Sequence, residues 1–147
     1  VLSNGKSSRF IQSLVQEHKI FTTIDAYISG SLDDGLLQIT GKPSQGISLQ
    51  DAESDIWKEL ERLKTVPVEE TELEKVKNRY ESEQIFNNLN YLNVATNLAY
   101  FELIGQAENI NKEVEKYRAV TAGQIQKAAR QTFVPENCSI LYYLAEQ

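Results

Sequence analysis

Phe10, Ile11, Leu14 and Val15 recur at helical spacing near the start of the chain, and Ser7 or Ser8 stands where a side chain would cap the helix they predict. The rhythm then changes. Between Lys19 and Ser29, Ile20, Ile24, Ala26 and Ile28 fall on one face of a predicted strand, with Phe21, Thr23 and Tyr27 on the other. Asp34-Gly35 is a turn signal, and Leu36 to Thr40 reads as a second strand, antiparallel to the first because the connection is short. Gly41-Lys42-Pro43 interrupts the strand pattern.

Helical spacing returns after Ser48-Leu49-Gln50-Asp51, a capping box with Asp in the place of Glu. Leu49, Ala52, Ile56, Leu60 and Leu63 mark its apolar side, and Pro67 closes it. The pattern from about Glu69 to Ile104, ended by Gly105, is too long for an ordinary helix. Asn87-Asn88-Leu89-Asn90 is the expected break, because Asn side chains compete for backbone hydrogen bonds. Glu108 to Tyr117 reads as a short helix. Thr121-Ala122-Gly123-Gln124 is a capping box for another, with Ile125, Ala128 and Phe133 inward. After the turn at Pro135-Glu136-Asn137, Cys138 to Leu144 alternates as a third strand. The order predicts one α+β domain over 1–147, an antiparallel sheet with several helices packed on one face. Three strands leave sheet edges unpaired, so a further strand is expected from residues before Val1.

The composition fits a packed domain, with 41% hydrophobic and 24% charged residues. The chain begins Val-Leu-Ser and has no Met, which predicts a piece of something longer. No apolar run reaches the roughly 20 residues of a membrane helix. The net charge of −6 comes without a basic stripe, which argues against nucleic acid. Most of the acidic excess lies between Asp51 and Glu83 and reads as a solvated helical face. The single cysteine, Cys138, sits in an apolar run and is expected to be a small buried hydrophobe.

Candidate chemistry is sparse. Leu14-Val15-Gln16-Glu17-His18 is H-x-x-E-H with Leu for the first His. A helical zinc site needs two imidazoles four residues apart, Leu cannot ligate, and His18 is the only histidine. It reads as a surface His at a helix end. Gly5-Lys6-Ser7 is similar to the tail of a phosphate-binding loop but reads better as a capping turn. Asp33-Asp34 reads as turn chemistry rather than an acid/base pair. Asn137-Cys138-Ser139 fits the glycosylation sequon, a motif common by chance. Trp57, Tyr91, Tyr100, Phe101, Tyr142 and Tyr143 read as packing residues.

Several blocks together carry a family resemblance. They are Gly5-Lys6-Ser7-Ser8-Arg9-Phe10, the run Leu14 to Tyr27, and Ser29-Gly30-Ser31-Leu32-Asp33-Asp34-Gly35-Leu36. Further along stand Asn97-Leu98-Ala99-Tyr100-Phe101-Glu102-Leu103 and Tyr117-Arg118-Ala119-Val120-Thr121. In order and spacing they resemble the C-terminal, non-metal half-domain of the insulinase/pitrilysin-type M16 zinc metallopeptidases, lacking its first strand. The resemblance implies a LuxS/MPP-like metallohydrolase half that closes a peptide chamber opposite a partner half. That half lies upstream or on another chain. It would carry H-x-x-E-H and the zinc, and the parent would hydrolyse peptides. It implies no zinc, other cofactor or catalytic residue in this chain. The family's helper Arg and Tyr positions fall on Val15 and Thr22. The rival it leaves open is a non-catalytic peptide-binding or assembly subunit of the same family.

Overall fold

The structure, a computed structural model, describes residues 1–30 and 35–144. The predicted turn at Asp34-Gly35 and the Asp33-Asp34 pair therefore fall wholly or partly outside the described residues. The fold is α+β, and the chain divides into two compact units, Val1–Pro67 with Gln126–Gln147, and Val68–Ile125.

In the first unit a short π-helix, Ile11–Glu17, precedes an antiparallel hairpin of β1 (Phe21–Ser29) and β2 (Leu36–Pro43). Phe10 and Leu14 are almost wholly buried and carry the π-helix onto β1. Burying each contributes about 1.5–3 kcal/mol. Ser8 does not cap the helix with its side chain. Its hydroxyl turns back and donates to the Gly5 carbonyl at 2.7 Å, closing the turn in which Gly5 takes φ 101°. At the other end Lys19 adopts the left-handed conformation (φ 55°) that terminates many helices.

The strand faces differ from strict alternation. Phe21 pairs with Pro43 and Thr23 with Lys42, so Thr22 is the extra residue of a β-bulge. The bulge resets the parity, and Phe21 is buried together with Ile24 instead of opposite it. It also explains Gly41: a Cβ there would lie 2.6 Å from the Phe21 ring.

Helix α1 (Leu49–Thr65) starts as predicted, with the Ser48 hydroxyl accepting from the Asp51 amide. It buries Ala52, Leu60 and Leu63. Within the same face it also buries Glu59, which accepts from Ser13 of the π-helix at 2.7 Å. Helix α5 spans Ala122–Thr132. Its buried positions are Ala129 and, just past its end, Phe133; Ala128 is exposed, one residue out of phase with the expectation. Arg130 donates to the Lys64 carbonyl at the end of α1.

Residues 138–144 correct two expectations. The backbone is extended at Cys138 (φ −121°, ψ 138°), but the hairpin sheet consists of β1 and β2, and no described strand forms a ladder with this segment. A strand exists through its partner's hydrogen bonds, and alternation alone does not supply them. The whole segment is exposed, Leu141 and Tyr143 almost fully, and the Tyr142 hydroxyl reaches the Glu53 carboxylate on α1. Cys138 is exposed, not buried.

In the second unit the long helical pattern breaks at the Asn cluster into α2 (Glu70–Asn87) and α3 (Tyr91–Ile104). The Asn90 side chain caps α3 by accepting from the Leu92 amide. A 3-10 turn, Ala107–Lys112, leads into α4 (Glu113–Arg118). Arg118 ties α4 to α2, donating from Nε to Glu81, from Nη1 to Glu74 and from Nη2 to Asn78 and Glu81. Tyr117 and Tyr80 stack with centroids 3.6 Å apart. Burial in this partly apolar setting, then the neighbouring Tyr117, push the Tyr80 hydroxyl up to about 12. Helix α3 buries none of its side chains, and Tyr91 is nearly fully exposed.

Candidate functional site

The π-helix and the bulged start of β1 hold every residue that the resemblance places near the chemistry. Leu14, standing where a zinc motif would need His, is a core residue at 2% exposure. His18 lies exposed at the helix end, its backbone N–H bonded to the Ser13 carbonyl. Its Nδ1 is 3.3 Å from the Ser13 hydroxyl, and that hydroxyl donates to Glu59. Serine therefore sits between the imidazole and the carboxylate, an order in which His cannot relay the serine proton to the acid. Glu59 Oε2 is buried without a hydrogen bond, with Arg62 Nη1 3.9 Å away. Glu59 was legible as an acid in the apolar stripe of α1, three residues after Ile56 and one before Leu60.

Val15 is half-buried on the π-helix and has no donor. Thr22 is exposed at the bulge, and its hydroxyl already donates to the Lys42 carbonyl at 3.0 Å. Neither position can present a free, long-reaching donor to a developing oxyanion as an Arg and a Tyr would. The Ser8, Arg9 and Phe10 amides after Gly5 donate to the Gly5, Val1 and Leu2 carbonyls, so these N–H groups are not free to cradle a phosphate.

The polar face of the hairpin carries Thr23, Asp25 and Tyr27, paired across β2 with Lys42, Thr40 and Gln38. An open cleft of about 350 Å³ is lined by Thr23, Ile24, Asp25, Tyr27 and Thr40. Asp25 is anchored by the Ser3 hydroxyl at 2.6 Å, and Ser3 in turn accepts from the outward N–H of Ala26. The Tyr27 hydroxyl donates to Gln38. These groups can hydrogen-bond an extended chain, but they contain no base paired with a nucleophile. Among the described residues no three of His, Cys, Asp and Glu converge as a metal-holding group, and one exposed imidazole does not fit a zinc site. No helix among them is long and apolar enough to cross a membrane.

Comparison with known proteins gives the fold and the family. No curated protein matches the chain. The backbone superposes on a structure described as a "putative zinc protease" from Bordetella pertussis Tohama I, with a TM-score of 0.84 and 21% identity over 99% of this chain and 80% of that one. The "inactive peptidase domain of a putative zinc protease" from Bordetella parapertussis gives 0.81 and 20% identity, covering 93% and 74%. A protease from Helicobacter pylori gives 0.81 and 18% identity; 88% of this chain is covered, but it spans only 32% of that protein. At these identities the likeness establishes the fold. A family model described as the peptidase M16 inactive domain matches residues 1–80, more than half of the chain. The chain belongs to the peptidase M16 inactive-domain family.

Proposed function

We propose that this chain is the non-metal half of an insulinase/pitrilysin-type zinc peptidase, one architectural domain over 1–147. In this reading it closes a peptide chamber against a half that carries H-x-x-E-H, in cis or on a partner chain. The observation that carries the reading is the state of the π-helix and bulge: Leu14 is buried in the core, Val15 lacks a donor, and the Thr22 proton is committed to Lys42. The position for chemistry is kept as architecture. A bound metal in the other half would supply an activated water. This half supplies enclosure, and the hydroxyls and Asp25 carboxylate of the hairpin face supply hydrogen-bonding groups for an extended peptide.

The test is complementation. The H-x-x-E-H half, expressed separately, should cleave a quenched fluorescent peptide poorly alone and faster once this chain is added, while this chain alone cleaves nothing. No change on addition would refute the enclosing role. The vacant helper positions favour a second reading, a peptide-binding or assembly subunit without turnover. In that case the two halves bind each other and the peptide, and no cleavage appears in the mixture.

A further inference from the structure

The cleft on the hairpin face is lined by one carboxylate among hydroxyls, a phenol ring and Ile24, and that carboxylate is held from behind. Ser3 is buried, and its hydroxyl donates to Asp25 Oδ1 at 2.6 Å. The Ala26 amide donates to the same oxygen at 2.9 Å. Both donors take Oδ1, so the side chain is fixed while Oδ2 has no hydrogen bond or ion pair among the described residues. Thr40 stands directly across the ladder from Asp25, and Thr23 and Tyr27 stand two residues to either side of it on β1. The two-residue period of a strand puts all these side chains on one face. The Thr23 and Thr40 hydroxyls have no partner among the described residues. The Tyr27 hydroxyl is tied to Gln38, which fixes the ring, and the residue stays 46% exposed.

We infer that this cleft is a subsite for a guanidinium group, the Arg side chain of an extended peptide; the inference rests on the reading of the hairpin face as a peptide-binding surface. The open groups set the choice. Asp25 Oδ2 and the two threonine hydroxyls can all accept, and a guanidinium donates around its whole edge. A fixed ring beside a carboxylate suits a planar cation, which pairs with the acid and lies on the ring. A Lys ammonium meets the carboxylate but has no plane to lay on Tyr27. An acidic side chain meets Oδ2 with like charge. Lys42 stands opposite Thr23, diagonal to Asp25, and makes no ion pair with it. Its charge closes that end of the cleft to a second cation, so the guanidinium belongs toward Tyr27. The buried Ser3 makes the carboxylate rigid before the peptide arrives, so little ordering remains to oppose binding.

Fluorescence anisotropy of the full chain tests this with fluorescein-labelled peptides that differ at one central residue, which is Arg, citrulline or Lys. Citrulline keeps the shape of Arg and removes its charge. At low salt the Arg peptide should bind about fivefold more tightly than the citrulline peptide, as for a partly exposed pair, with the Lys peptide between them. Asp25→Asn keeps an oxygen for Ser3 and Ala26 and should bring the Arg and citrulline peptides together, with circular dichroism as the check on folding. Tyr27→Leu spares the Ser3 link and should bring Arg down to the level of Lys. Glu136→Gln removes a different acid, on the turn at Pro135–Asn137, and should leave the preference intact. Equal binding of the Arg and citrulline peptides, a preference that survives Asp25→Asn, an advantage over Lys that survives Tyr27→Leu, or a preference that Glu136→Gln also removes would each overturn the inference. So would the absence of binding by every peptide. None of these results touches the enclosing role, which stands or falls on acceleration of the separate H-x-x-E-H half.

Discussion

In the first unit Phe10, Leu14, Phe21, Ile24, Leu60 and Leu63 are each 5% exposed or less; in the second, Leu89, Leu92 and Leu103 are more than 70% exposed. The difference is not one of apolar content, because α3 carries a single charged residue, Glu102. It is one of arrangement. The apolar positions of α1 keep to one side, where the π-helix and hairpin supply complementary faces. Those of α3 surround the helix and have no described partner face that covers them. Besides the buried Val68 and Leu73, the second unit has polar and aromatic ties between α2 and α4, the Arg118 cluster and the Tyr80–Tyr117 stack. Hydrophobicity supplies the driving force for burial, but geometry decides which side chains receive it.

Truncation is the strongest way to break this contrast. Phe10→Ala should cost about 3–5 kcal/mol, because it empties a fully enclosed site. Leu92→Ala should cost less than about 0.5 kcal/mol. Urea unfolding compares the two directly, and equal losses would erase the distinction between the units. A smaller effect belongs to Arg118→Ala. Its side chain is 36% exposed, so the ion pairs are partly screened and the loss should be about 1 kcal/mol. That loss should shrink in high salt, whereas the cost of Phe10→Ala should not.

The smallest effect is a pH dependence. The fold holds Tyr80 neutral up to about 12, above its ordinary value of 10.0. The unfolded chain ionises first, so this contribution is complete below pH 10 and is lost progressively as pH rises toward 12. Thermal unfolding across that window should show a fall that Tyr80→Phe reduces. An identical fall in the variant would assign the change to other groups.

Local chemistry was legible in the sequence. Ser48, Thr121 and the Asn87–Asn90 cluster act on backbone groups a few residues away, and the structure has the helix starts and the break where these residues predict them. What needed a distant partner was not legible. The bulge at Thr22 depends on register with Lys42 and Pro43, and it places Phe21 on the face opposite to strict alternation. Residues 138–144 have a strand's pattern without a strand's ladder. Arg118 meets residues 37 to 44 positions earlier, a convergence no local spacing announces. For the candidate site, family order pointed to Val15 and Thr22, but the commitment of the Thr22 proton is visible only in the fold.

We infer that residues 5–41 keep the framework of a peptidase family without holding a metal. Metal analysis of the purified chain after exposure to zinc and exhaustive dialysis tests this most directly. The predicted result is no stoichiometric zinc, with a His18→Ala variant indistinguishable from the parent. One tightly held zinc per chain, lost on replacing His18, would contradict it.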